Sequence, residues 1–257
     1  MASAFDAHAP AAGFKLCGAE KLAFVSDMFD RVAPTYDLLN HLISLGQTTL
    51  WRVFALSFLH DKLPPSASVL DVGCGTGWVS WYFGKRYKSK NLQLQGMDCS
   101  EVMLEEARSV VPNGVFAKGD VSSLDFDSNQ FHMVTTVYTL RNFPDLEKGL
   151  RECWRVTKPG GCVVVLDAFP PSNWVVRGVL KIWLEWMMPA IAKLVMKTPD
   201  EKAYKYLASS IQNTVPPQIV AQVLRSCGAE QVRTTKYTFG TAARIIAVKP
   251  KQKERDR

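Results

Sequence analysis

The sequence predicts an α/β protein. It has a mostly parallel sheet with an antiparallel edge, a helical N-terminal extension and a helical insertion. Three observations predict this. Between residues 68 and 166, short apolar runs alternate with segments of helical periodicity, as in right-handed βαβ units covered on both faces. The first apolar run enters a turn rich in glycine, Gly73, Gly75 and Gly77. The chain closes with two strand-like runs split by Gly240, which read as a hairpin supplying the antiparallel edge.

The elements follow in order. Residues 1–19 read as a flexible, Ala-rich segment with little expected order. Residues 20–31 place Leu22, Val25, Met28 and Phe29 on one helical side. Residues 36–45 and 48–59 read as two more helices, punctuated by Pro34, Gly46 and Pro64-Pro65. These make a helical extension over residues 20–62. The strands expected next are 68–72, 92–97, 115–118, 131–137 and 162–166. The helices between them are 78–87, 100–110 and 145–156, with Lys158-Pro159-Gly160-Gly161 as a turn before the fifth strand. Residues 171–212 break the rhythm with aromatic-rich helical sequence and are expected to form a cap. A helix at 216–226 and strands at 231–238 and 243–248 complete seven strands.

Composition bounds the possibilities. The chain has 257 residues, 47% hydrophobic and 21% charged, with 16 Gly and 14 Pro, which excludes collagen-like and mostly disordered chains. One domain over residues 20–249 suits that length, followed by a basic tail at 250–257. From Lys249 onward, five cations and two acids supply +3 of the net +7. No aromatic-and-basic motif points to nucleic acid. No uncharged apolar run reaches the ~18 residues of a membrane span. The richest stretch, 174–196, is broken by Arg177, Lys181, Glu185, Pro189 and Lys193. The six cysteines have no metal-like spacing, and the sequence shows no metal site; buried free thiols in a reducing compartment are expected. Residues 1–18 contain Asp6 and no arginine, unlike a mitochondrial presequence, and lack the apolar core of a secretion signal.

The glycine turn, Asp71-Val72-Gly73-Cys74-Gly75-Thr76-Gly77, allows close backbone approach to a ligand. A dinucleotide fingerprint needs glycine at position 78, where Trp78 stands. No Gly-Lys-Ser/Thr follows, which excludes a P-loop. Asp71, just before the turn, suits a cationic ligand group better than a pyrophosphate. Asp98 ends the second strand, where an acid accepts from both ribose hydroxyls or caps the next helix. Asp120 follows the third strand and could accept from an adenine amino group. The implied ligand has a ribose, an adenine and a cationic end, without phosphate. S-adenosylmethionine (SAM) fits.

With these residues in view, the chain resembles the C-methyltransferases of ubiquinone and menaquinone biosynthesis, a family of class I SAM-dependent methyltransferases with a Rossmann-like fold. The resemblance runs over about residues 24–249. It is carried by Met28-Phe29-Asp30-Arg31-Val32-Ala33-Pro34-Thr35-Tyr36-Asp37, Leu50-Trp51-Arg52, Leu140-Arg141-Asn142-Phe143-Pro144-Asp145 and Arg155-Val156-Thr157-Lys158-Pro159-Gly160-Gly161. Tyr206-Leu207-Ala208-Ser209-Ser210-Ile211 and Phe239-Gly240-Thr241-Ala242-Ala243 agree as well. The resemblance implies methyl transfer from SAM to a ring carbon of a polyprenylated quinol precursor. By motif it carries Thr76, Asp98, Asp120, Val121 and Val137 into the cofactor site, beside Asp71, Gly73, Gly75 and Gly77. Some positions depart from the family pattern. Relatives often have serine at Val137, an acid at Trp78, Phe-Asp at Phe131-His132 and Leu-Glu-Phe at Leu166-Asp167-Ala168.

A quinol carbon becomes nucleophilic when its adjacent hydroxyl loses a proton, so a nearby cation helps. Arg141 and Asn142 follow the fourth strand and are the candidates to stabilise and orient the acceptor oxygen. The plainer role of Arg141 is to anchor its loop to a carboxylate. A guanidinium stays protonated, which excludes it as a simple base. Tyr36 and Asp37 are candidate lid residues. None of His8, His41, His60 and His132 is expected to be the base. Trp174, Trp183, Trp186, Met187 and Met188 share a broad apolar surface. That surface suits peripheral membrane contact, a cap over the acceptor or a homodimer face. The resemblance implies an intracellular enzyme, cytoplasmic in a bacterium. In a eukaryote it implies the matrix side of the mitochondrial inner membrane or another organelle. Two alternatives stay open: methylation of another lipid-like or phenolic molecule, and a non-catalytic scaffold subunit of a biosynthetic complex.

Overall fold

The structure, a computed structural model, describes residues 16–33, 36–57, 59, 63–195 and 201–251. The expectations for His8, Pro34, Thr35, His60, most of the N-terminal segment and most of the basic tail lie outside these residues.

Seven strands form one sheet in the order β3-β2-β1-β4-β5-β7-β6. They are β1 (Ser68–Val72), β2 (Gln93–Asp98), β3 (Val115–Lys118), β4 (Phe131–Val137), β5 (Thr157–Ala168), β6 (Gln231–Tyr237) and β7 (Ala242–Val248). β1 to β5 pair in parallel. β7 enters antiparallel between β5 and β6, so the closing hairpin lies with its second strand inward. Every residue of β1 is buried, as its unbroken apolar run requires of a central parallel strand. α4 (Trp78–Arg86), α5 (Glu101–Val110), α6 (Leu146–Val156) and α10 (Pro217–Ser226) cover the two faces. Alternation along β5 divides the core: Val163 and Val165 join Leu150 and Leu224 on one face. Val164 and Leu166 join Phe83 and Tyr87 on the other.

The extension consists of α1 (Gly18–Val32), α2 (Tyr36–Ile43) and α3 (Gln47–Leu56). Val25 and Met28 of α1 pack with Ala203 and Tyr206 of α9 (Glu201–Gln212). The cap also holds α7 (Trp174–Ile182), a π-helical turn over Trp183–Met187 and α8 (Met188–Val195). Leu184, Met188 and Ala208 give it a small core of its own. The apolar stripe read from the sequence therefore divides. Leu184 and Met188 turn inward, whereas Trp174 and Trp186 are 83% and 73% exposed.

Two local expectations change. The run Lys158-Pro159-Gly160-Gly161 is a bulge inside β5: the register steps from Phe131↔Thr157 to Met133↔Cys162. Gly160, at φ +78°, turns its N–H to the Lys249 carbonyl. Cys17 is exposed rather than buried. Lys249, the last residue of the domain as bounded from the sequence, is fixed by its side chain. Its Nζ donates to the Trp154 and Thr157 carbonyls at 2.9 and 2.7 Å and to Asn129 Oδ1 at 2.9 Å. These are carbonyls at the end of α6, where a cation also meets the negative helix pole. Replacing Lys249 by Met is expected to cost about 1.5–3 kcal/mol of stability, read as a lowered urea midpoint at unchanged slope.

Candidate active site

The strand order reverses between β1 and β4, and the loops beyond them part to leave a crevice at their carboxyl ends. On one side lies the glycine turn. Gly73 and Cys74 donate their N–H groups to the Met97 carbonyl at 2.7 and 3.0 Å, which folds the turn back onto β2. Gly73 has φ +70°, and a Cβ there would lie 2.0 Å from Thr139 Cγ2. Glycine is thus required by both conformation and space. Thr139 Oγ1 donates to the Gly73 carbonyl at 3.0 Å, tying the turn to the loop after β4.

Asp71, Gly73, Gly75, Thr76, Asp98, Val121 and Val137 line this pocket together. Gly77 sits behind them at φ +81° as the N-cap of α4. Asp71 is buried; Thr135 Oγ1 donates to its Oδ1 at 2.8 Å, and its Oδ2 has no hydrogen-bond partner. Burial pushes the Asp71 carboxyl up to about 7, against the pull of the Thr135 hydroxyl and Arg52. Asp98 accepts from Ser100 N–H on Oδ1 at 3.0 Å and from Gly75 N–H on Oδ2 at 2.8 Å. Each oxygen keeps lone-pair capacity for a further donor. Ser100, not Asp98, is the N-cap of α5. Asp120 is placed differently from its neighbours. Gly119 and Val121 line the pocket, whereas the Asp120 carboxylate accepts from Ser122 N–H at 2.8 Å and closes a turn beside it.

The extension closes the crevice from above. Leu22, Val25 and Phe29 of α1 line the pocket. Lys21 Nζ donates to the carbonyls of Arg141 and Phe143 at 3.1 and 2.7 Å, and Ser26 Oγ to that of Cys99 at 2.9 Å. α1 therefore bridges the loops after β2 and β4. Thr76 Oγ1 donates to Asp37 Oδ2 at 2.5 Å, joining α2 to the glycine turn.

A second cavity of about 350 Å³ adjoins the first. α2, α3, the cap and the β6–β7 turn enclose it, and its wall is apolar, with Val179, Leu180, Leu184, Met188 and Ile211 among its lining. Tyr36, Arg52 and Tyr138 line both spaces. Of these two spaces Arg141 lines the second and Asn142 the first, and both meet again in a smaller cavity beside Tyr36. Arg141 is bonded to buried Asp167 through Nη1, so the anchoring role foreseen for it is present. Burial alone would lower its pKa, but the facing Asp167 holds it above the ordinary value. Asn142 Oδ1 accepts from Tyr206 OH at 3.0 Å. His132 lies back along β4, its Nδ1 3.0 Å from Ser68 Oγ.

Sequence reasoning missed Arg52 as a site residue, along with Tyr138 and Asp167. A lone cation in the run Leu50-Trp51-Arg52-Val53-Phe54-Ala55-Leu56 was the available signal. Tyr138 gave none: its φ of +62°, rare for a bulky residue, arises only as β4 turns outward.

The site has an orphaned carboxylate oxygen for a cation, a two-oxygen acid for vicinal hydroxyls and a glycine turn open to a nucleoside. These residues fit SAM, and the sheet order with that donor set defines a class I SAM-dependent methyltransferase. The chain belongs to the ubiE/COQ5 methyltransferase family, whose sequence profile matches residues 17–249. A demethylmenaquinone methyltransferase of Chlorobaculum tepidum is 34% identical over 227 residues, covering 88% of this chain and 92% of its own length. The ubiquinone/menaquinone biosynthesis C-methyltransferase UbiE of Desulfotalea psychrophila is 33% identical over 219 residues, covering 84% and 87%. Among solved structures, a SAM-dependent methyltransferase of Thermotoga maritima, described as a possible histamine N-methyltransferase, has the same fold. Its TM-score is 0.61 at 20% identity, covering 87% of this chain and 99% of its own.

Asp98→Ala is expected to abolish SAM binding by calorimetry while the circular dichroism spectrum stays native. Unchanged affinity would remove Asp98 from the ribose.

Proposed function

We propose that this protein methylates a ring carbon of a polyprenylated quinol precursor, in the menaquinone or ubiquinone series, with SAM as donor. The observation that carries the reading is the apolar cavity of about 350 Å³ meeting the SAM pocket at Tyr36, Arg52 and Tyr138. An apolar cavity of that size suits a ring with a hydrocarbon tail. The names of the relatives from Chlorobaculum tepidum and Desulfotalea psychrophila point to the same substrates.

SAM supplies a methyl group already activated on sulfonium, so this chain needs to align, polarise and exclude water. Asp98 would hold the ribose hydroxyls, and Asp71 a positive group. Val121 and Val137 give the pocket apolar walls. Asp120, occupied in its turn, contributes to an adenine through whatever acceptor capacity Ser122 leaves. Arg141 would stabilise negative charge on the acceptor oxygen. Asp167 keeps that guanidinium charged and fixed, at the cost of partly neutralising it. Asn142, its carbonyl oxygen engaged by Tyr206, is left with its amide nitrogen to donate. Tyr36, at the junction of the two spaces, would close over the transfer path.

The test uses methyl-labelled SAM with a demethylmenaquinol and a demethylated polyprenyl benzoquinol, products being read by mass. A labelled ring methyl on either establishes the reaction and its series; no transfer to either, with SAM bound, rejects the reading. Arg141→Gln is expected to lower kcat at least about 100-fold with the Kd for SAM within about twofold. Near-normal turnover would leave Arg141 only its bond to Asp167.

The same reading includes peripheral membrane contact, since a tailed quinol has to enter from a lipid phase. Phe239, 84% exposed, stands at the cavity mouth, and Trp174 and Trp186 lie exposed on the cap. Arg177 and Lys181 flank them on the same helical segment. Among the described residues no helix is long and apolar enough to cross a membrane. Co-sedimentation with vesicles containing anionic lipid is expected, and the double substitution Trp174→Ser, Trp186→Ser should reduce the bound fraction several-fold. An unchanged fraction would remove these residues from the contact.

A further inference from the structure

The loop over Leu140–Asn142 is held from three sides. From α1, Lys21 Nζ donates to the carbonyls of Arg141 and Phe143. From β5, Asp167 holds the Arg141 guanidinium. The third hold comes from the cap. Tyr206 of α9 donates its hydroxyl to Asn142 Oδ1 at 3.0 Å, and both side chains are buried. Among the described residues, that phenol is the one hydrogen-bond partner of the Asn142 side chain. Burial pushes the Tyr206 phenol up to about 12, so it remains a donor at neutral pH. An amide whose oxygen is held has its plane and its nitrogen fixed as well. The tyrosine ring is seated separately. Phe24 lies 5.3 Å from it, centroid to centroid, and Val25, Met28 and Ala203 share its cluster. Those apolar contacts tolerate sliding, whereas a hydrogen bond of 3.0 Å is made in one seating of α9 only.

The same helix reaches the second cavity. Leu207, the next residue, and Ile211, one turn beyond it, line that cavity, whereas Asn142 lines the SAM pocket. Arg141, Asn142, Tyr206 and Leu207 meet around the smaller cavity of about 50 Å³ beside Tyr36. One helix thus carries an apolar pair facing the acceptor space and the donor of the bond that orients Asn142. We propose that Tyr206 is a positioning residue that couples the two substrates: an acceptor packed against Leu207 and Ile211 seats α9, and seated α9 fixes Asn142 at the wall of the SAM pocket. The proposal rests on the second cavity being the acceptor's. The coupling is reciprocal, so bound cofactor strengthens the hold on the acceptor by the same factor. Methyl transfer is then favoured only when both substrates are present, because the loop is complete only with the cap in register.

The test measures binding by calorimetry on the full chain. The cofactor probe is S-adenosylhomocysteine, which has no methyl group to transfer. The acceptor probes are a short-tailed demethylmenaquinol and a demethylated short-tailed benzoquinol. Wild-type protein is expected to bind S-adenosylhomocysteine about fivefold more tightly with acceptor saturating than without it, as one net hydrogen bond implies. Tyr206→Phe keeps the ring against Phe24 and should bring that factor below about twofold, with a native circular dichroism spectrum. Asn142→Ala leaves the contact between α1 and α9 untouched and should lower the factor equally. Adding Tyr206→Phe to Asn142→Ala should change nothing further, because the phenol acts through that amide. A factor unchanged in Tyr206→Phe overturns the proposal, as does its absence from wild-type protein that binds both ligands. So does a double variant that loses more than either single one. If neither acceptor binds to protein loaded with S-adenosylhomocysteine, the reading of the second cavity falls, and this proposal with it.

Discussion

The reversal of strand order between β1 and β4 is the constraint on which the site depends. The crossovers from these neighbouring strands run to opposite sides of the sheet, so no connecting helix of the sheet can cover the gap at their carboxyl ends. The glycine turn and the loop over Leu140–Asn142 face each other across it, joined by Thr139. Only elements from outside the βα repeat can close that gap. The extension does so, with α1 held by Lys21 and Ser26 to the two loops it bridges.

Charge burial shows where the fold gives up stability for a site. Asp71, Asp98, Asp167, Arg52 and Arg141 are all buried at this edge, and each has lost hydration that only specific partners restore. Asp98 is satisfied by backbone N–H groups and Asp167 by Arg141. Asp71 and Arg52 are incompletely satisfied, as is Arg141 at its Nε. A buried group in that condition, lining a pocket, is one whose bonding a ligand can complete. The same burial that raises the Asp71 carboxyl makes a cationic ligand group worth more there than it would be at the surface.

The second cavity has a different origin. It belongs to no single βα unit but to the meeting of α2, α3, the cap and the β6–β7 turn. Its walls come from amphipathic helices that have no partner within the sheet. The cap buries Leu184 and Met188 inward, and this leaves Trp174 and Trp186 facing out. A pocket built this way can change its acceptor by changing the cap while the donor edge stays as it is.

Much of this was legible in the residues. The alternation of apolar runs and helical periods determined the strands and their covering helices, because those periods are local. The glycine turn with Asp71 and Asp98 was legible too, since each lies at a strand end that the alternation locates. The placement of Lys158-Pro159-Gly160-Gly161 inside β5 was not, because a bulge is defined by the register of β4 against β5. Asp120 was legible as an acid after β3, but its bond from Ser122 N–H and its place beside the pocket lining came only with the tertiary structure. Arg141 was visible as a candidate, but its bond to Asp167 depends on the loop after β4 meeting the end of β5, 26 residues further along. Arg52 as a site residue and Tyr138 emerged only in three dimensions, where α3, α4 and the end of β4 converge on one guanidinium. The sequence by itself determined the elements and the donor class, which follow from periodicity and from acids at strand ends. Only the tertiary structure decided which charges are paired and which are left open, because pairing depends on distances between segments remote in the chain.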